Sequence, residues 1–296
     1  MKSVAWLLAG VLSALHSGTL PAAAQSRLPV VASFSIIADL VRQVGGERVE
    51  VTSLVGANAD MHTFQPTPAH SRQLAGAKLV VINGLGLEDW ADRLVKASGY
   101  GSARVVASKG VKALPGGEHG RYDPHAWQEV ANVRIYVANI RDALAAVDAG
   151  RAAEYQQRAI DYLNQLDALE GEIKQAFKDI PKPRRVITSH EAFSYYGDAY
   201  DIEFLAPQGI SGESEPSAAK VAQLIRQIKR EKTTAIFVEN INTRLMERIA
   251  RETGTTIGGT LYSDALSAPS GPAATYIDMM HHNTRLIASA LKGQAR

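Results

Sequence analysis

One amphipathic stretch, Ala152–Lys178, sets the terms for the rest of this 296-residue chain. Tyr155, Ala159, Tyr162, Leu166, Leu169, Ile173 and Phe177 recur at spacings of three and four with charges between them. That is the pattern of a helix buried along a single stripe. Asp148 is placed to cap its start, and Pro181 and Pro183 stop it. At 1.5 Å per residue such a helix runs about 40 Å, the width of a lobe. A helix of that length in mid-chain divides the polypeptide in two. It predicts an N-terminal lobe over residues 25–150, a linking helix over 151–180 and a C-terminal lobe over 181–296. A single stiff connection also predicts limited lobe motion.

On both sides of it, strand-like apolar runs alternate with helical patterns, which argues for an α/β fold with mainly parallel sheets in two lobes. Strands are predicted over Leu28–Ser33, Arg48–Val55, Ala77–Asn83 and Ala103–Ala107, with helices over Ile36–Gly45, Thr67–Ala75 and Leu87–Ala97. Beyond the linking helix, strands are predicted over Arg185–Thr188, Ile202–Ala206, Ala235–Val238 and Thr255–Thr260. Helices there cover Ala192–Tyr200, Ser217–Glu231, Thr243–Thr253 and Thr275–Leu291. The halves share no strict sequence repeat, only the same strand–helix grammar.

Residues 1–24 read as a cleavable secretory signal. Lys2 supplies the positive start, Val4–Leu15 the apolar stretch and Pro21-Ala22-Ala23-Ala24 the small-residue cleavage region. The apolar run falls short of the roughly 20 residues a stable membrane span needs. Cleavage after Ala24 removes Lys2 and no acid, so the formal charge of +2 becomes +1. Such a chain has no electrostatic reason to bind nucleic acid. The absence of cysteine excludes disulfides, thiolate metal sites and thiol catalysis, and no lipid-anchored start is expected. The expected home is the periplasm, and the expected state a monomer.

Four residues stand just beyond apolar runs or loops in a way that invites a metal. His62 follows the second strand, and His125 closes a Gly-rich loop at Tyr122-Asp123-Pro124-His125. His190 ends Thr188-Ser189-His190, and Asp264 ends Tyr262-Ser263-Asp264. Two fall in each half, so a metal would sit in the cleft between lobes. Three imidazoles and one carboxylate form a nitrogen-rich, tetrahedral set that suits Zn²⁺. Asp123, Glu191 and Glu239 are candidates to fix the imidazole tautomers. His70, His281 and His282 read as surface or core-edge residues, and Trp90 and Trp127 as core anchors near the cleft. Gly84-Leu85-Gly86 is too incomplete for a dinucleotide fingerprint.

Several motifs, in order, carry a family resemblance. They are Asp60–Pro68, Leu79–Trp90 with its Asn83-Gly84-Leu85-Gly86-Leu87-Glu88, Asp123–Trp127, Thr188–Phe193, Gly212–Ser217 and Leu261–Asp264. Across the whole mature chain they resemble the metal-binding solute-binding proteins of ABC transporters for zinc and manganese. The resemblance implies two α/β lobes joined by one backbone helix, with the ligand positions falling on His62, His125, His190 and Asp264. In that family the third position tends to be glutamate in manganese carriers and histidine in zinc carriers; here it is His190. The chain departs from many zinc carriers at Pro115–Arg121, where a long histidine-rich loop is replaced by a short one bearing only His119.

The expected function is therefore capture of Zn²⁺ and its delivery to an ABC permease in the inner membrane, with a periplasmic metallochaperone left open as a loading partner. Affinity should fall as pH drops through the imidazole range, near 6.5. Alternatives are a manganese carrier, an adhesive surface protein on the same fold, or a zinc hydrolase with Glu191 as base. No His-Glu-x-x-His or Gly-x-Ser-x-Gly pattern supports the hydrolase, and no catalytic residue is expected.

Overall fold

The computed structural model describes residues 26–116, 121–211, 216–231, 235–241 and 243–294. The signal segment, His119 and Gly212–Glu215 of the fifth motif lie outside them.

The first lobe opens with β1 (Leu28–Phe34), α1 (Ser35–Gly45), β2 (Val49–Val55), α2 (Pro68–Ala75), β3 (Leu79–Ile82), α3 (Ala91–Ser98) and β4 (Ala103–Val106). β1 pairs in parallel with β2, Val30 opposite Val51, and with β3, Val30 opposite Leu79. The central strands β1 and β3 are largely apolar and buried, as strands covered on both faces are, while the edge strands β2 and β4 carry exposed Glu50 and Arg104. Sheet order is β2-β1-β3-β4. A short antiparallel pair, β5 (Pro115–Gly116) and β6 (Arg121–Tyr122), follows.

Next comes α4 (Val130–Val147), which the sequence pattern did not predict, and then α5 (Ala152–Phe177). All seven stripe residues of α5 are buried, each large one contributing about 1.5–3 kcal/mol. They pack on α4 and α1. Asp148 does not cap α5. A 3-10 turn over Ala149–Arg151 intervenes and makes Arg151 the N-cap, while Asp148 accepts a hydrogen bond from Tyr155 Oη at 2.8 Å. Helix α3 starts four residues later than predicted. Residues 87–90 lie in a loop instead, where Leu87 N bonds back to Gly84 O at 3.1 Å and Ala91 N to Glu88 O at 2.9 Å, after a run of positive φ at Gly84, Leu85 and Gly86 (91°, 56° and 84°).

The second lobe contains β7 (Arg185–Ile187), α6 (Ser194–Tyr200), β8 (Glu203–Leu205), α7 (Ala218–Glu231), β9 (Ile236–Glu239), α8 (Arg244–Thr253), β10 (Ile257–Leu261) and α9 (Tyr276–Gln294). Its order, β10-β9-β7-β8, is the first sheet's topology again: in each lobe the first strand lies between the second and third. The architecture is two α/β lobes with parallel sheets and one long helix, as expected. A second tie supplements that helix. Returning toward the first lobe, the chain after β10 bonds Leu266 N to Ser35 Oγ at 3.0 Å and Tyr276 N to Asp39 Oδ2 at 2.8 Å; α9 then packs against α5. Among the described residues, no helix is long and apolar enough to cross a membrane.

Candidate metal centre

Each candidate residue is set by a local device. His62 lies between β2 and α2, its N–H bonded to Asp60 Oδ1 at 2.8 Å. Downstream, Thr67 and His70 form a capping box that starts α2, with Thr67 N donating to His70 Nδ1 at 3.0 Å. His70 is thus a helix cap rather than an idle surface residue. His125 is gripped twice by one oxygen, since Asp123 Oδ1 accepts its N–H at 2.9 Å and faces its Nδ1 at 2.7 Å. Trp127 stands edge-on to the His125 ring, with centroids 5.2 Å apart.

His190 follows β7, and Glu239 ends the neighbouring strand β9. Glu239 Oε1 accepts the N–H groups of Ser189 and His190 at 2.8 and 3.0 Å, and its Oε2 lies 2.7 Å from His190 Nδ1. Asp264 follows β10. Its neighbour Ser263 offers a carbonyl to Trp127 Nε1 and Gln128 Nε2, both at 2.9 Å, which ties the Asp264 loop to the His125 loop.

The four side chains meet, one donor atom from each within 4.8 Å of every other. His62 Nε2 is 3.2 Å from His125 Nε2 and 3.5 Å from Asp264 Oδ2. His125 Nε2 lies 3.4 Å from Asp264 Oδ1, and His190 Nε2 lies 3.1 Å from Asp264 Oδ2. A tetrahedron with arms of about 2.0–2.1 Å, the Zn–N length, has edges of about 3.3 Å. Three of the residues are buried and His62 nearly so. Neither Asp264 oxygen, nor His190 Nε2, has a well-formed hydrogen bond. Buried polar atoms without such bonds are costly, and here they point at one another around a space that a cation would satisfy. Asp264 turns both oxygens to the imidazoles, a larger part than a single-oxygen ligand.

The electrostatics agree. Burial opposes charge on Asp264, but the imidazoles of His190 and His125 outweigh it and hold the carboxyl well below its usual range. Burial likewise works against a charged His190, yet Glu239 and Asp264 prevail and raise it well above an ordinary histidine. Asp123 and Glu239 are both held low by the imidazoles they face, against the penalty of burial. With each Nδ1 turned to a carboxylate, the Nε2 atoms of His125 and His190 face inward, and a cation bound there would replace the Nε2 proton of His190. A divalent ion with Asp264 alone would leave +1; Asp123 and Glu239 bring the total to −1.

Of the three carboxylates proposed to fix tautomers, Asp123 and Glu239 face the Nδ1 atoms of His125 and His190, each at 2.7 Å. Glu191 instead lines a depression of about 450 Å³ with Ser194 and Asp198. His281 faces Glu172 at 3.5 Å and His282 faces Thr260 O at 2.9 Å, so neither joins the cluster. Trp127 is fully buried and Trp90 nearly so, as core anchors should be. The supports that sequence reasoning missed are Ser35, which accepts Leu266 N, Gln128, which donates to Ser263 O, Asn83, which donates to Pro124 O, and Tyr195, which donates to Asp123 O.

Comparison with known proteins gives this centre a context. Residues 30–290 match the family described as zinc-uptake complex component A, periplasmic, or ZnuA. The chain is 34% identical over 266 residues to the manganese-binding lipoprotein MntA of Halalkalibacterium halodurans, covering 89% of this chain and 88% of that protein. It is 30% identical over 297 residues to the manganese ABC transporter substrate-binding lipoprotein PsaA of Streptococcus mitis, covering 95% and 94%. The solved structure of the periplasmic zinc binding protein TroA from Treponema pallidum aligns with a TM-score of 0.85 at 29% identity, covering 90% of this chain and 99% of that one. The chain thus belongs to the ZnuA family, the metal-binding substrate-binding proteins of ABC transporters, and is a transport component rather than an enzyme.

Proposed function

We propose that this protein is a periplasmic zinc carrier, exported by cleavage after Ala24, that binds Zn²⁺ through His62, His125, His190 and Asp264. It hands the ion, as a monomer, to an ABC permease in the inner membrane. The lobes are residues 25–150 and 181–296, with 151–180 linking them. The observation that carries the metal assignment is the donor set. Three imidazoles and one carboxylate suit Zn²⁺, whereas Mn²⁺ favours more oxygen ligands. A second reading, a manganese carrier, is favoured by the names of MntA and PsaA. Metal analysis of protein purified without added metal, followed by competition between Zn²⁺ and Mn²⁺, separates the two. Retention of zinc against excess manganese is expected; preferential retention of manganese overturns the zinc assignment.

A further inference from the structure

A side chain of the second lobe is inserted into a strand pair of the first. Where the chain enters β5 and leaves β6, Asp123 N donates to Leu114 O at 2.9 Å. In an antiparallel pair the reciprocal bond would run from Leu114 N to Asp123 O. Here the Tyr195 hydroxyl occupies that place, accepting from Leu114 N at 3.0 Å and donating to Asp123 O at 2.9 Å. Tyr195 is 1% exposed and sits in the first turn of α6, five residues after His190. The next carbonyl, Pro124 O, accepts Asn83 Nδ2 at 3.0 Å from the first lobe. Asn83 is itself fixed: Tyr136 Oη donates to its Oδ1 at 2.6 Å, and Glu88 Oε1 accepts its N–H at 2.7 Å. The two peptide planes leading into His125 are therefore held from opposite lobes, one by each side chain.

We infer that Tyr195 is a positioning residue for metal binding: its hydroxyl holds the His125 loop in the orientation that aims Nε2 at the ion. This rests on the proposed ligand role of His125. Asp123 supplies both the carbonyl that Tyr195 holds and the carboxylate that orients the imidazole, so a turn of its peptide re-aims the ring. Without the hydroxyl, Leu114 N and Asp123 O are free to pair directly. Because Tyr195 moves with His190 and not with His125, separation of the lobes would withdraw it and loosen two ligands together.

The test compares two neighbours on α6. Tyr196 is equally buried, and its hydroxyl pairs with Thr284 Oγ1 at 2.7 Å, remote from the His125 loop. Tyr195→Phe and Tyr196→Phe each remove one buried hydroxyl and each cost stability. The readouts on the full-length mature protein are Zn²⁺ release into excess chelator and the visible spectrum of the Co²⁺ form. Tyr195→Phe is expected to speed Zn²⁺ release about tenfold, the lower end of the range for partners behind a metal ligand, and to shift the Co²⁺ bands. Tyr196→Phe should change neither. Wild-type release and spectrum in Tyr195→Phe, or equal changes in Tyr196→Phe, overturn the positioning role. Should Tyr195→Phe not fold, 4-fluorophenylalanine in place of Tyr195 refills the hydroxyl's space without its O–H donor and is expected to speed release in the same sense; wild-type release there overturns the inference. A Co²⁺ spectrum unmoved by His125→Ala would instead remove the ligand assignment beneath it.

Discussion

In the C-terminal lobe, the crevice between β7 and β9 holds an imidazole, His190, with the Glu239 carboxylate behind it. The first lobe has the same strand order, but among the described residues its matching crevice between β1 and β3 holds no imidazole. Ser35, just beyond β1, accepts Leu266 N from the Asp264 loop, and Asn83, just beyond β3, donates to Pro124 O in the His125 loop. Such crevices, where strand order reverses, are the usual ligand sites of open α/β sheets. One lobe thus places a proposed ligand at the site, and the other uses it to grip the loops that carry the proposed ligands His125 and Asp264. Topology makes the place available; the residues at two or three positions decide what is done there.

The largest expected effect lies on the metal-facing side. His190→Ala removes a buried nitrogen and leaves Glu239 and Asp264 without a cation between them. Its loss of zinc affinity, measured by chelator competition, should exceed the roughly 10–100-fold typical of removing a partner behind a ligand. Glu239→Gln should fall within that range for a definite reason. Its amide can donate to His190 Nδ1, which favours the tautomer that carries the proton on Nε2 and so blocks the metal. Unchanged affinity in Glu239→Gln would mean that this crevice holds a lone imidazole rather than a tuned pair.

How much of this arrangement the sequence discloses depends on how local each feature is. The α5 stripe is uninterrupted, and each proposed ligand follows a strand-like run or closes a glycine loop, so the stripe and the convergence of these four side chains were legible. Helix α4 was not, because its buried face is broad and includes Asn132 and Tyr136 among Val133, Val137 and Ile140, which blurs the apolar periodicity. Asp148 looked like a cap, but a 3-10 turn follows it and its carboxylate accepts Tyr155 Oη instead, a contact the spacing does not announce. The gripping residues were out of reach for a different reason. Ser35, Asn83 and Tyr195 act on partners 231, 41 and 72 residues away, and no short spacing announces them.

A pH experiment sharpens the comparison at intermediate size, because only the metal-facing crevice contains a displaced histidine. In the metal-free protein His190 is raised well above an ordinary histidine: burial works against its charge, but Glu239 and Asp264 outweigh it. Its proton therefore stabilises the fold fully below the unfolded value of about 6.5, and that contribution is lost as pH rises through the folded value. Asp264 is depressed, so its contribution is present above the ordinary aspartate range and is lost only as pH falls through its lowered value. Zinc takes the place of the His190 proton and competes better as protons become scarce. The gap in Tm between zinc-loaded and chelator-treated protein should widen between about pH 6 and pH 8. Scanning calorimetry that finds a constant gap would remove His190 from the titrating centre.

The smallest effect on metal is expected from Ser35→Ala, and its smallness is what separates the two crevices. The substitution leaves the buried Leu266 N–H without its acceptor, at a cost of about 1–3 kcal/mol in stability. The Asp264 loop nevertheless keeps other holds. Trp127 and Gln128 still donate to Ser263 O, Asn283 still brackets the Tyr262 backbone at 3.0 and 2.7 Å, and Asn58 N still donates to Leu266 O at 2.9 Å. With its loop held at these three places, Asp264 should keep its aim, so denaturant titration should register the loss while zinc affinity drops less than the roughly tenfold minimum expected of Glu239→Gln. If Ser35→Ala instead weakens zinc binding as much as Glu239→Gln, the grip is not redundant. The first-lobe crevice would then tune the metal as directly as the second, through a backbone amide rather than a carboxylate.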